Sequence, residues 1–211
     1  MAHILVFGDS ISYGAWDREG GWVQRLRMWL DERFLSKPDF YFLTYNLSVS
    51  GDVSGDVLER FEFETKQRTD EEKNQVIIFA IGGNDAQFIT DQNRCQTSEK
   101  IVNENIQKLI ILARKYASNI IFVGLAPTDE SKTVPIPWCP DKSYKNEHIQ
   151  KYNNLIKSIC AKNKIPFIEI FEKLIKTDYK TLLEDGVHPN TEGHKKMFEI
   201  IKEFLIKNKM I

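Results

Sequence analysis

The stretch Gln75–Ile81, QVIIFAI, is the clearest strand in the chain and runs directly into Gly82-Gly83-Asn84-Asp85. A short apolar run closed by glycines is typical of a strand that is buried on both faces. Amphipathic stretches separate it from the other apolar runs, which are His3–Phe7, Phe40–Leu47, Asn119–Leu125 and Ile165–Ile170. This alternation predicts a parallel sheet covered by helices on both faces.

The amphipathic stretches between the strands carry the helix signals. Apolar residues recur at helical spacing from Trp22 to Phe34, and Pro38 ends that helix. Further helices are predicted over Asp52–Lys66, after a cap at Ser98, around Tyr152–Ile159 and from Thr191 onward. We find no internal repeat and no linker, and we therefore predict a single domain over residues 1–211.

Residues 127–146 form one long irregular stretch that contains four of the prolines, together with Trp138 and Cys139. Long loops inside a compact domain are often functional, so this stretch is a candidate lid or substrate wall. A surface excursion with no part in catalysis explains the same residues equally well.

Composition excludes several classes of function. The 29 Lys and Arg residues balance 30 Asp and Glu residues, so a strong basic field for nucleic acid is absent, although a local patch is not excluded. Three cysteines without C-x-x-C spacing indicate free thiols in a reducing compartment. The sequence contains no apolar run of the roughly 18 residues that a membrane span needs. A cytoplasmic location follows by default, and a signal peptide that has been removed is the alternative.

The residues that carry chemistry lie at the two ends of the chain. Ser10 follows the first strand, whereas Asp185 and His188 precede the last helix. In an open parallel sheet these positions meet outside the carboxyl ends of the strands, where ligands bind. A serine nucleophile needs a base, and the base needs an acid that fixes its tautomer. We therefore predict Ser10 as nucleophile, His188 as general base and Asp185 as its partner.

Three donors could stabilise the oxyanion of a tetrahedral intermediate. They are the main-chain N–H groups of Ser10 and Gly51 and the side-chain amide of Asn84. Glycine allows close approach of the backbone, and a neutral amide donates without taking the proton of the base. Asp9 and Asp85 are expected to order the adjacent turns by side-chain to backbone hydrogen bonds.

Four blocks of the sequence resemble the SGNH/GDSL hydrolase family: Gly8-Asp9-Ser10-Ile11, Asn46–Gly51, Gly82-Gly83-Asn84-Asp85 and Asp185-Gly186-Val187-His188. They occur in the order of the family and span nearly the whole chain. Ile11 stands where the family name has leucine. The resemblance implies a flavodoxin-like three-layer α/β/α sandwich with a five-stranded parallel sheet. It also implies ester hydrolysis without metal or cofactor, with the roles given above for Ser10, Gly51, Asn84, Asp185 and His188.

The leading prediction is a serine esterase acting on a small-molecule ester with a small or medium acyl group. An acyltransferase, or a deacylase of carbohydrates or lysophospholipids, could use the same site. A metal-dependent hydrolase using Asp9, Asp185, His188 and His194 is a further alternative, although the two histidines lack a recognised ligand spacing. A non-catalytic flavodoxin-like binding module is another, although Asp9 stands where phosphate would bind. The oligomeric state stays open.

The remaining aromatic and histidine residues receive structural interpretations. Trp16, Trp22 and Trp29 are expected to pack in the core or at its rim, and Trp16 is near enough to Ser10 in the chain to reach the pocket. The histidines at positions 3, 148 and 194 are expected to be structural or solvated.

Overall fold

A computed structural model describes residues 2–38, 41–69 and 74–211 of the chain. Its central element is a five-stranded sheet in which every pair of neighbouring strands is parallel. In chain order the strands are β1 (Ala2–Gly8), β2 (Phe42–Asn46), β3 (Val76–Ala80), β4 (Asn119–Val123) and β5 (Phe167–Ile168). Their order across the sheet is β2-β1-β3-β4-β5. This is the doubly wound order of the flavodoxin type, as predicted.

Helices connect the strands and cover both faces of the sheet. They are α1 (Ser10–Tyr13), α2 (Gly21–Ser36), α3 (Ser54–Lys66), α4 (Glu99–Ala113), α5 (Glu130–Thr133), α6 (Asn146–Lys162), α7 (Phe171–Leu174) and α8 (Thr191–Lys207). A single 3₁₀ turn spans Tyr179–Leu182. Ser98 caps α4 as predicted, since its side chain accepts a hydrogen bond from the main-chain N–H of Ile101.

Alternate residues of each strand point to opposite faces, which divides the core into two layers. On β1, Leu5 and Phe7 belong to the layer beneath α3, α4 and α6, whereas Ile4 and Val6 belong to the layer beneath α2 and α8. Both layers are closed to solvent at β1, β3 and β4, which explains why these strands contain continuous apolar runs. The predicted α/β/α sandwich is therefore confirmed.

Predicted and observed boundaries differ by one or two residues in most strands: the third strand spans Val76–Ala80 instead of Gln75–Ile81, and the fourth ends at Val123 instead of Leu125. The fifth strand was expected over Ile165–Ile170 but pairs only at Phe167–Ile168, because Pro166 has no N–H to donate and Ile170 already has helical backbone angles at the start of α7. The predicted start of the second strand at Phe40 lies outside the described residues, and the observed strand begins at Phe42.

The long stretch 127–146 is less irregular than expected. It contains α5 and a two-residue strand, Lys142–Ser143, which pairs with Phe88–Ile89 in a small antiparallel sheet. Arg94–Cys95 forms the third strand of that sheet. The small sheet ties the stretch to the loop that follows β3, and both lie at the carboxyl end of the main sheet.

The register of the strands brings their ends to one level. Gly8 at the end of β1 lies opposite Ala80 at the end of β3, and Phe79 lies opposite Phe122 of β4. The loops that follow β1 and β3 therefore start side by side at the carboxyl rim.

Candidate active site

Ser10 is the first residue of α1 and is separated from the end of β1 by Asp9 alone. Asp9 caps this short helix, and its Oδ1 accepts a hydrogen bond from the main-chain N–H of Ile11 at 3.0 Å. The expected role of Asp9 in ordering the turn is thereby confirmed. Ser10 is nearly buried, with its side chain directed at the loop that precedes α8.

The structure brings Ser10, His188 and Asp185 into one chain of hydrogen bonds. His188 Nε2 lies 2.9 Å from Ser10 Oγ, and His188 Nδ1 lies 2.7 Å from Asp185 Oδ2. The Asp185 Oδ1 atom accepts from the main-chain N–H groups of Val187 and His188, each at 2.9 Å. The turn from Asp185 to His188 thus orients the carboxylate toward the imidazole through main-chain hydrogen bonds.

The hydrogen bonds to Asp185 lower the pKa of its carboxyl group and keep it ionised. Partial burial raises the pKa of this carboxyl, but the donors from the His188 side chain and from the main chain of His188 and Val187 outweigh burial and lower the pKa to about 2. Asp185 is therefore ionised at neutral pH.

Asn84 is held in a defined orientation in the loop after β3. Its Nδ2 donates to the main-chain oxygen of Asp52 at 2.9 Å, and its Oδ1 accepts from the hydroxyl of Tyr144 at 2.6 Å. Burial raises the pKa of Tyr144, so the phenol keeps its proton and remains a donor. A flipped amide would place two oxygens, Asn84 Oδ1 and the Asp52 carbonyl, against each other. The two bonds therefore fix the amide orientation.

Gly51 lies on the same cleft as Ser10, Asn84 and His188. Its φ of 92° is in the left-handed region, and the position of a Cβ would face open space. Glycine is therefore required here by the backbone conformation and not by crowding.

The loop of Asn84 is anchored from below by Asp85. This carboxylate is fully buried and accepts hydrogen bonds from the Ser54 main-chain N–H at 2.8 Å and from the Ser54 hydroxyl at 2.7 Å. Burial raises the pKa of Asp85. Asp85 makes the expected kind of side-chain to backbone hydrogen bond, but the bond goes to the start of α3 and not to the adjacent turn.

Two tryptophans flank the His188 ring. Trp16 meets it edge-on, with ring centroids 5.8 Å apart, and Trp138 lies on it at 6.4 Å with an interplanar angle of 29°. Both side chains are more than half exposed. Trp22, in contrast, is fully buried, and Trp29 packs partly buried against the core as predicted.

Three spaces adjoin Ser10, His188 or both. The inner cavity has a volume of about 40 Å³ and reaches Ser10 and Asn84, with a mainly apolar lining that includes Ile11, Val123, Leu125, Ile149 and Met197. The open cleft, of about 640 Å³, is lined by Trp16, Trp138, Asp185 and His188 among others. The polar cleft, of about 270 Å³, passes Ser10, Gly51 and Asn84 and carries Gln87, Gln96 and Lys142.

The other histidines lie apart from this cluster. His148 stacks on Phe88, and His3 Nδ1 contacts the main-chain oxygen of Arg68. His194 is fully buried in α8, and burial lowers its pKa to about 4. Within residues 2–38, 41–69 and 74–211, no group of three or more His, Cys, Asp or Glu side chains is arranged to hold a metal ion.

A family model for GDSL-like lipase/acylhydrolase proteins matches residues 6–196. The chain belongs to this family. An arylesterase of Vibrio mimicus is 21% identical over 206 residues, covering 97% of this chain and 88% of that protein. The structure of a lipase/acylhydrolase from Enterococcus faecalis is similar with a TM-score of 0.73 and 20% identity, covering 97% of this chain and 95% of the other. Axe2, an acetylxylan esterase from Geobacillus stearothermophilus, is similar with a TM-score of 0.69 and 17% identity, covering 95% of this chain and 92% of the other.

Membership of the GDSL-like lipase/acylhydrolase family confirms the resemblance carried by the four sequence blocks. It makes the chain an enzyme of the carboxylic ester hydrolase class. In the part of the chain that the structure describes, no helix is long and apolar enough to cross a bilayer.

Sequence reasoning missed Tyr144. It comes from the stretch 127–146, a candidate lid or substrate wall in which Trp138 was named and Tyr144 was not. The tyrosine carries no motif, and the only signal for it was its place in a long loop.

Proposed function

We propose that the chain hydrolyses esters through an acyl-enzyme on Ser10, with His188 as general base and acid and Asp185 as the carboxylate that orients it. One observation carries the proposal: the unbroken chain from Ser10 Oγ to His188 Nε2 at 2.9 Å and from His188 Nδ1 to Asp185 Oδ2 at 2.7 Å. Nucleophile and base lie within hydrogen-bonding reach, and a third group fixes the base, as this mechanism requires.

The reaction then proceeds in two halves. Ser10 Oγ attacks the ester carbonyl carbon while His188 Nε2 takes the hydroxyl proton, and the Asp185 carboxylate stabilises the imidazolium that forms. Collapse of the intermediate breaks the bond to the alcohol oxygen, which takes the proton from Nε2. A water molecule repeats the sequence on the acyl-enzyme and releases the acid.

The developing oxyanion would be stabilised by the main-chain N–H groups of Ser10 and Gly51 and by Asn84 Nδ2. The two anchoring bonds of Asn84 support this role. They fix the orientation of the amide, so that its nitrogen and not its oxygen is available as the donor. One such donor typically contributes about 3–4 kcal/mol to stabilisation of the transition state.

The two sides of Ser10 suggest how the substrate lies. The leaving alcohol has to sit beside His188 Nε2, and the large open cleft is on that side. The acyl group is then left with the inner cavity, whose 40 Å³ has room for roughly three water-sized groups, at about 10–15 Å³ each. We therefore propose a short acyl group, of acetyl to butyryl size, on a larger alcohol.

The decisive experiment is labelling with a fluorophosphonate probe that reacts with activated serines. We expect one equivalent of label on Ser10 and loss of ester turnover in Ser10→Ala. The control is Ser12→Ala, in the same helix, which should still be labelled on Ser10. Labelling at another residue, or full turnover by folded Ser10→Ala, would refute the nucleophile.

An ester series tests the acyl preference separately. p-Nitrophenyl esters of two to ten acyl carbons should give a kcat/KM that is highest at two to four carbons and falls steeply beyond. A flat or rising profile would contradict the proposed use of the inner cavity without touching the role of Ser10.

A further inference from the structure

Trp16 contacts the Asp185–His188 pair through its ring nitrogen. Its Nε1 lies 2.8 Å from Asp185 Oδ2 and 3.1 Å from His188 Nδ1. Both nitrogens approach the same carboxylate oxygen, since His188 Nδ1 lies 2.7 Å from it. Trp16 as a whole is 65% exposed, although its N–H is directed at the carboxylate.

The indole completes the set of donors around Asp185. Oδ1 accepts from the main-chain N–H groups of Val187 and His188, and Oδ2 accepts from the rings of His188 and Trp16. A carboxylate offers about four lone-pair sites, so these bonds fill them. Three of the donors come from the segment of Asp185 itself. Trp16 is the donor from the other end of the chain, beside Ser10.

The backbone at Trp16 adopts a conformation that a bulky residue normally avoids. Its φ is 65°, in the left-handed region. Such an outlier persists only where the surroundings enforce it, and it points to a function. The neighbouring Gly14 and Gly21 touch so closely that a Cβ on Gly21 would lie 2.5 Å from the Gly14 Cα.

Hydrogen bonds and an ion pair of Asp17 stabilise this turn. Its side chain is fully buried and accepts from the Gly21 main-chain N–H at 2.8 Å and from the Thr191 hydroxyl at 3.0 Å, and it forms an ion pair with Arg25. The turn is thereby fixed to α2 and to α8, the helix that follows His188. The indole is presented by a rigid support and not by a mobile loop.

We propose that Trp16 is a positioning residue for the catalytic carboxylate, and this inference rests on the proposed function. Its N–H keeps Asp185 Oδ2 in line with His188 Nδ1, so that the imidazole presents Nε2 to Ser10. Its ring also packs edge-on against the imidazole, which restricts the movement of the His188 side chain.

The test begins with Trp16→Phe, which keeps a flat ring and removes the N–H. We expect kcat to fall about tenfold, the effect of losing one hydrogen bond to a charged acceptor, with a much smaller change in KM. The matched control is Trp138→Phe. Trp138 faces the same imidazole in the same cleft but, among the described residues, donates to neither His188 nor Asp185. We expect that control to change KM more than kcat.

A double-mutant cycle with Asp185→Ala separates positioning from other roles. If Trp16 acts through the carboxylate, Trp16→Phe has no further effect in the Asp185→Ala background. An equal loss in both backgrounds would overturn the inference. Full activity of Asp185→Ala would instead refute the proposed triad, whereas an impaired Asp185→Ala beside a fully active Trp16→Phe would refute only the role of Trp16.

A spectroscopic measurement keeps the inference testable if Trp16→Phe fails to fold. The indole N–H proton of Trp16 should resonate downfield of an unbonded indole, and it should move upfield in Asp185→Ala. The buried Trp22 provides an internal reference, since its resonance should stay in place. A Trp16 resonance that is unchanged by Asp185→Ala would overturn the inference.

Discussion

Replacing Tyr144 by phenylalanine should damage catalysis without touching any group that handles a proton. The change deletes the 2.6 Å hydrogen bond that holds Asn84 Oδ1 and leaves the rest of the buried ring in place. Among the described residues, the Asn84 side chain then keeps only its bond to the Asp52 carbonyl, about which the amide can rotate. The donor proposed for the oxyanion is no longer held in its orientation before the reaction begins.

The magnitude follows from what the amide is expected to contribute. An oxyanion donor stabilises the transition state by about 3–4 kcal/mol. We expect a donor that is no longer held in place to lose about 1–2 kcal/mol of this stabilisation. Because about 1.4 kcal/mol corresponds to a factor of ten, kcat/KM should fall roughly 5- to 30-fold. The unpaired Asn84 oxygen should also lower the free energy of unfolding by about 1–3 kcal/mol.

The assay compares kcat/KM for a short ester with the affinity for a boronic acid that mimics the tetrahedral intermediate. Both should fall by a similar factor, because the oriented donor acts mainly on the oxyanion. The matched control is Tyr152→Phe, which deletes another buried hydroxyl, one that bonds to the Thr97 carbonyl. It should cost stability and leave kcat/KM within about twofold.

Two outcomes would refute this reasoning. The first is equal kcat/KM in folded Tyr144→Phe and Tyr152→Phe. The second is a Tyr144→Phe effect that persists at full size in an Asn84→Ala background, since a residue that acts through Asn84 has nothing left to orient there.

Two buried titratable groups should give stability changes of opposite sign. Burial raises the pKa of Asp9 to about 6 from 3.8, so the free energy of unfolding decreases as pH rises from about 4 to 6. In urea titrations at pH 8, Asp9→Asn should therefore have a free energy of unfolding about 3 kcal/mol higher than that of the wild type, with no such gain at pH 3. A variant no more stable at pH 8 would contradict this. Burial lowers the pKa of His194 to about 4 from 6.5, so the free energy of unfolding decreases by up to about 3 kcal/mol as pH falls from 6.5 to 4. In urea titrations, His194→Gln should lack this dependence of the free energy of unfolding on pH. An unchanged slope would show that another group causes it.

Much of the fold follows from the sequence because it depends on periodicity. The runs around β1, β3 and β4 are apolar on both faces, and only a sheet covered on both sides satisfies them. Once the strands are parallel, Ser10, Asn84 and His188 have to share one rim. The short strands Phe88–Ile89 and Lys142–Ser143 carry no such pattern, because two residues cannot display a period.

The contacts that orient the site depend on long-range geometry and were not predictable in the same way. Tyr144 reaches Asn84 across 60 positions of the chain, and Trp16 reaches Asp185 across 169. Trp16 had a weak signal in its closeness to Ser10. Its bond, however, depends on a left-handed turn whose only trace in the sequence is the group of glycines around it.

The brace at Asp17 explains how two ends of a chain can meet within hydrogen-bonding distance. A parallel sheet brings the loops after its strands to one rim, but side chains on separate loops would still vary in position by more than a hydrogen bond allows. Asp17 lies one residue from Trp16 and accepts from Thr191, which lies three residues after His188. Arg25 joins the same pair, through its ion pair with Asp17 and a contact to the Thr191 carbonyl. The turn after α1, the helix that begins at Ser10, is thus bonded to the start of α8, just after His188, so the separation of Ser10 and His188 is set by these local bonds as well as by the sheet.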